Sequence, residues 1–162
     1  MLKTKIAVFV SGGGTNFEAL INAQENGKIP HGEIVLMVSS SKTAYALKRA
    51  ENHGIKSVVC SKKELGSQES FEEEILKNLE ENDIQLIVLA GFMSILSNEF
   101  TKKYENRIIN IHPSLIPSFC GEGFYGLHVH EAALKKGVKV TGATVHIVNE
   151  IPDGGPIIMQ KA

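Results

Sequence analysis

Lys5-Ile6-Ala7-Val8-Phe9-Val10-Ser11-Gly12-Gly13-Gly14-Thr15-Asn16 is the stretch that sets the fold class. Its first six residues form a short, β-branched apolar run of the kind found in a buried strand, and the glycines that follow permit a tight turn. Phe17, Leu20 and Ile21 then fall on one face of a helix expected to end near Asn26-Gly27. The same alternation repeats outward from this unit. Glu33 to Ser39 reads as a second strand, Tyr45 to Asn52 as a helix stopped by Gly54, and Lys56 to Val59 as a short third strand. Phe71, Ile75, Leu76 and Leu79 mark one face of a long acidic helix, and Ile84 to Ala90 reads as a central strand. Short apolar runs alternating with stretches of helical period predict an α/β fold, a Rossmann-like open, mostly parallel sheet with helices on both faces.

Towards the other end, Ser97 to Tyr104 reads as a short helix and Arg107 to Ile111 as a buried strand running into polar residues. Pro113 to Gly126 contains two prolines and three glycines with no period, a loop long enough to suggest function. Helix resumes at Val129 to Lys136. Val140 to Val148 and Pro156 to Met159 read as strands joined by the turn Ile151-Pro152-Asp153-Gly154-Gly155.

The chain has 162 residues, 43% of them hydrophobic, which suffices for one well-buried core and argues against disorder. Lys and Arg number 17 against 18 Asp and Glu, a net charge of −1 that points to no nucleic-acid partner. No stretch approaches the ~18 consecutive apolar residues of a membrane span, since even Ile84 to Ala90 is broken by Gln85. The start of the chain lacks the apolar region and small-residue cleavage site of a secretory signal. Cys60 and Cys120 are far apart and show no Cys-x-x-Cys spacing, against a disulfide framework or structural zinc. A cytoplasmic location and a single domain over residues 1–162 are expected.

Three constellations carry candidate chemistry. The first is Ser11-Gly12-Gly13-Gly14-Thr15-Asn16 between strand and helix, where Gly13, Gly14, Thr15 and Asn16 would offer backbone N–H groups and a helix N-terminus to an anion. Alone, it reads equally as a glycine turn capped by Thr15 or Asn16. Phe17 stands at the third glycine position of a dinucleotide fingerprint, and Ser39-Ser40-Ser41 replaces a ribose-binding acid, against NAD. No Gly-Lys-Ser/Thr triplet follows, against a nucleoside triphosphate, which leaves a monophosphate.

The second is Asn110-Ile111-His112-Pro113-Ser114-Leu115. Strand alternation puts Asn110 and His112 on one side, an amide donor beside an acid–base group, although a turn cap and a satisfied buried histidine would look the same. The third is Asp153-Gly154-Gly155-Pro156, a carboxylate in a glycine turn too free to be chosen for packing. Beside His112 such a carboxylate would favour imidazolium and fit it to donate a proton. No GxSxG elbow is present and neither Ser11 nor Ser114 has a base at motif spacing, so direct acyl transfer is simpler than a covalent intermediate. His128, His130 and His146 show no metal-ligand spacing; they are expected to support the active-site loop, and no metal is expected. Met93, Ile95 and Leu96 read as core, or as an apolar slot for a flat heteroaromatic ligand.

The glycine-rich loop, Ala90-Gly91-Phe92-Met93, Asn110 to Leu115 and Asp153 to Pro156, in this order, resemble the phosphoribosylglycinamide formyltransferases of the folate-dependent formyltransferase superfamily. The likeness runs from Ile6 to Gln160. It implies that Asn110 holds the formyl oxygen, His112 donates a proton and Asp153 raises the pKa of His112. It implies that Gly13 to Asn16 grip a ribose phosphate, with the phosphate-binding half near residues 1–90 and the folate-binding and catalytic half near 91–162. The folate pocket would draw on Gln68, Met93, Ser94, Ile95, Leu96, Ile108, Asn110 and Val148. The implied partners are 10-formyltetrahydrofolate as formyl donor and 5'-phosphoribosylglycinamide as acceptor, in purine biosynthesis, with a monomer or homodimer acting on them.

Alternatives stay open: a formyltetrahydrofolate hydrolase, disfavoured because Pro113 stands where a second His is usual, or a non-catalytic phosphate-ligand-binding domain. A methionyl-tRNA formyltransferase is disfavoured by length and charge. Departures from the pattern are Gln68 and Ser94, where many relatives carry Arg, which weakens the expected contacts to the folate tail. The family also continues past the strand ending near Gln160, so exposed apolar surface and weakened binding of the phosphoribosyl substrate are expected here.

Overall fold

The computed structural model describes residues 2–162. These divide into two compact units, one up to Leu96 and one from Ser97 to Ala162.

In the first unit the order is β1 (Thr4–Val10), α1 (Thr15–Glu25), β2 (Gly32–Ser39), α2 (Ala46–Asn52), β3 (Lys56–Val59), α3 (Lys62–Leu65), α4 (Gln68–Glu81) and β4 (Leu86–Leu89). The strands lie in the order β3-β2-β1-β4, and every pairing is parallel, with Val8 opposite Met37 on one side and Val88 on the other. Parallel strands covered by crossover helices are apolar along their length, and Ala7, Val8, Phe9 and Val10 are buried accordingly. Phe17 and Ile21 of α1 pack with Val8, Val10, Met37, Ala46 and Ala50 in the core. The helical face expected from the sequence is therefore the buried one. Gly14 takes a left-handed conformation (φ 72) at the start of α1, and a Cβ there would lie 2.7 Å from Ala46 Cβ. Glycine is required at that position twice over, by backbone and by space. Ser67 caps α4 by accepting a hydrogen bond from Ser70 N.

In the second unit the order is α5 (Asn98–Lys103), β5 (Ile108–His112), α6 (Leu127–Lys136), β6 (Ala143–Ile147) and β7 (Ile157–Lys161). Here β5-β6-β7 pair antiparallel, so β6 is central. The register sets Asn110 opposite His146 and His112 opposite Thr144. All five residues of β7 are exposed, including Ile157, Ile158 and Met159.

The elements match the α/β expectation closely, apart from shifted ends, among them α6 starting at Leu127 and β7 running on to Lys161. The four-residue α3 was not expected, since Lys62-Lys63-Glu64-Leu65 is too short to show a period. Strand β4 is shorter than Ile84 to Ala90 because Ile84 N still closes the end of α4 on Leu79 O. Strand β6 begins at Ala143 rather than Val140, whose side chain is exposed. Among the described residues no helix is long and apolar enough to cross a membrane.

Candidate active site

Asn110 and His112 leave β5 on the same side because strand side chains alternate, and the antiparallel partner β6 delivers His146 directly opposite Asn110. Asn110 Nδ2 lies 3.1 Å from His146 Nε2. His146 is 1% exposed and His112 4%, so both imidazoles are desolvated and depend on protein partners. Those partners converge on Asp153, whose Oδ2 lies 3.5 Å from His112 Nδ1 and whose Oδ1 lies 3.6 Å from His146 Nε2. Four side chains from β5, β6 and the loop before β7 thus form one polar cluster.

Hydrogen-bond chemistry fixes several protons. A carbonyl oxygen only accepts, so His146 Nδ1–H donates to Ile147 O (2.9 Å) and His112 Nε2–H donates to Phe119 O (2.8 Å). In a neutral His146 ring, Nε2 then accepts from Asn110 Nδ2; in a charged ring it faces Asp153 as a donor. The first arrangement spends one amide hydrogen of Asn110 and leaves the second for an oxygen of a ligand.

Asp153 and Phe119 are both non-glycine residues with positive φ, at 54 and 48. Such backbone persists where the surroundings over-determine it, and it clusters at functional sites. The neighbouring glycines close-pack the turn: a Cβ on Gly155 would lie 1.8 Å from Ile147 O, and one on Gly154 2.4 Å from Ile151 Cγ2. The turn's freedom from packing, expected from the sequence, is therefore corrected; Gly154 and Gly155 are there because the chain passes too close to β6 and to Ile151 for any side chain. Burial works to raise the Asp153 pKa, but His146, the Gly121 N–H (2.9 Å from Oδ2) and the charge of His112 outweigh it. The carboxyl is held below its ordinary value of 3.8.

A second polar layer braces the long loop. Thr144 Oγ1, fully buried, donates to Ser114 O and accepts from Ile116 N and Gln160 Nε2. Ser114 Oγ donates to the Ser118 carbonyl. His128 and His130 lie exposed on α6, His128 beside Glu131 and against the Tyr125 ring. They do not join the cluster; His146 does. Its signal was available in the sequence, since Thr144 and His146 are polar residues at period two inside an apolar strand.

In the first unit, Gly13, Thr15 and Asn16 are exposed and Gly14 is buried. Among the described residues the N–H groups of Gly13, Gly14, Thr15 and Asn16 make no hydrogen bond, which leaves them for an anion. Ser11 ties this loop to the segment after β4: its N–H donates to Gly91 O and its Oγ accepts from Met93 N. Met93 and Ile95 are exposed, Ser94 and Leu96 half-buried. Gln68 Nε2 donates to Ile95 O (3.0 Å) and to Glu72. In the second unit Ile108 is fully buried, and its carbonyl accepts from Val148 N.

Comparison with known proteins gives a consistent pattern. Residues 4–162 match the family described as formyl transferase. The chain is 48% identical over 160 residues to the trifunctional purine biosynthetic protein adenosine-3 of Gallus gallus, covering 99% of this chain and 15% of that protein. It is 39% identical over 156 residues to the phosphoribosylglycinamide formyltransferase of Haemophilus influenzae, covering 96% of this chain and 71% of the relative. The crystal structure of the phosphoribosylglycinamide formyltransferase of Bacillus halodurans matches with a TM-score of 0.89 at 40% identity, over 98% of this chain and 78% of that one. The Rossmann-like fold expectation is met by that likeness.

Proposed function

The chain belongs to the formyl transferase family, and from that premise we propose that it transfers the formyl group of 10-formyltetrahydrofolate to the amine of 5'-phosphoribosylglycinamide. The observation that carries the reading is the buried cluster of Asn110, His112, His146 and Asp153. An amide donor, an imidazole and an ionised carboxylate are the groups that such a transfer needs.

In this reading the substrate amine attacks the formyl carbon. The developing oxyanion is stabilised by the free hydrogen of Asn110 Nδ2, and the bond from carbon to the folate nitrogen breaks as that nitrogen takes a proton from His112. The amine nitrogen loses a proton as the new C–N bond matures, and that proton goes to the ring nitrogen His112 has vacated, so the protein ends the turnover as it began. Asp153 faces Nδ1 of that imidazole and orients the ring. To reach a ligand, His112 Nε2–H exchanges its present acceptor, Phe119 O, for the ligand atom. Gly13 to Asn16 bind the substrate phosphate through their unspent N–H groups. Gln68, Met93, Ser94, Ile95, Leu96, Ile108 and Val148 contribute to binding the folate, Gln68 and Ile108 chiefly by fixing Ile95 O and Val148 N. We assign residues 1–162 to one formyltransferase domain acting on small molecules in the cytoplasm.

The test is an assay of folate product with 10-formyltetrahydrofolate, run with and without 5'-phosphoribosylglycinamide. Product only when both are present supports the transfer. Product without the ribonucleotide makes the chain a hydrolase, and ligand binding with no product in either arm makes it a binding domain.

A further inference from the structure

The glycine loop of the first unit is held from one side by α2. Ala46 N donates to Gly12 O (3.2 Å) and Arg49 Nε donates to Gly13 O (2.8 Å). A trans peptide is planar with its C=O and N–H pointing in opposite directions. Pinning the Gly12 and Gly13 carbonyls towards α2 therefore turns the N–H groups of Gly13 and Gly14 the opposite way. The loop is open around its first two glycines, where a Cβ on Gly12 or Gly13 would meet nothing within 4 Å.

One of the two pins is backbone and is guaranteed by the helix; the other is a single side chain. Arg49 is itself held in place on several sides. Its Nη1 lies 3.1 Å from Glu18 Oε2, its guanidinium sits 5.1 Å from the centre of the Tyr45 ring, and its Cδ lies 3.5 Å from where a Cβ on Gly14 would stand. Glu18 in turn takes His53 Nε2 at 3.1 Å, and His53 Nδ1 lies 2.9 Å from Glu25 Oε1. The guanidinium is thus fixed by a carboxylate and an aromatic face while its Nε serves the loop, a division of labour that a lysine with one nitrogen lacks. It also offsets the Glu18 charge in the first turn of α1, next to where an anion would sit.

We propose that Arg49 is a positioning residue for phosphate recognition, holding the Gly13 carbonyl away from the ligand so that the Gly13 and Gly14 N–H groups face the phosphate. The inference rests on the assignment of Gly13 to Asn16 to the substrate phosphate, and it adds a residue that does not itself touch the ligand.

The experiment is calorimetric titration of the protein and of Arg49→Met and Arg49→Lys with 5'-phosphoribosylglycinamide and with its dephosphorylated ribosylglycinamide. The unchanged protein should prefer the phosphorylated ligand, and both variants should lose about tenfold or more of that preference, the scale of one charge-assisted hydrogen bond. Affinity for the dephosphorylated ligand and for 10-formyltetrahydrofolate should stay as it was. A merely structural role would weaken all three ligands together and would overturn the proposal. Full preference in Arg49→Met overturns it as well, and full preference in Arg49→Lys shows that charge and not the pinned carbonyl matters. No preference in the unchanged protein removes the phosphate assignment itself, a distinct failure. Arg49→Lys keeps the charge and most of the packing, so it serves if Arg49→Met does not fold.

Discussion

His112 presents Nδ1 to Asp153 Oδ2 at 3.5 Å, while its other nitrogen is bonded to the Phe119 carbonyl. Both ring nitrogens therefore face acceptors, and the carboxylate and the carbonyl together fix the orientation of the imidazole. Replacing Asp153 by Asn keeps the shape and removes the charge. Formyl transfer in Asp153→Asn should fall by about 10²-fold or more, the range of general acid–base assistance. Measurement of kcat at saturating ligands checks this; an unaltered kcat would mean that the carboxylate is only part of the turn.

The same carboxylate links stability to pH. Its folded-state pKa lies below 3.8, so it contributes stability that is fully present above 3.8 and is lost as pH falls through the folded value. Urea midpoints taken at pH 5, 4 and 3 should drop more steeply for the native chain than for Asp153→Asn. Parallel slopes would contradict the assigned direction.

His53 carries the opposite sign. Hydrogen bonds to Glu25 and then Glu18 raise its pKa above 6.5, so its contribution is present below 6.5 and fades as pH rises through the folded value. Thermal midpoints between pH 5.5 and 9 should fall with pH in the native chain and stay flatter in His53→Gln. Both partners are solvent-screened surface groups, so the effect is small.

Gly155→Ala places a methyl where Ile147 O already stands, 1.8 Å from the ideal Cβ. The backbone has to move, at a cost of about 2 kcal/mol or more, and Asp153 two residues away moves with it. Chemical denaturation should show the loss of stability and the transfer assay a lower kcat. A variant as stable and active as the native chain would show that the turn is slack.

Thr144→Val removes the hydroxyl that serves Ser114 O, Ile116 N and Gln160 Nε2 without changing the size of the side chain. Buried groups left without a partner cost about 1–3 kcal/mol. The denaturation midpoint should fall accordingly, and amide hydrogen exchange at Ile116 should quicken; protection at Ile116 equal to the native chain would place the brace elsewhere.

Much of this molecule was legible from local pattern. The run Lys5 to Val10, the glycines after it and the spacing of Phe17 and Ile21 fix strand, turn and helix, because apolar period and glycine conformation are properties of neighbouring residues. Asn110 and His112 could be set on one side by the same reasoning. Tertiary structure alone decided what those side chains meet. His146 enters through antiparallel register with Asn110, and Asp153 through a turn whose Gly155 is dictated by the Ile147 carbonyl. Arg49 reaches Gly13 across a helix packing. Contacts between residues far apart in the chain depend on how elements pair and how closely they approach, and no local spacing carries that information.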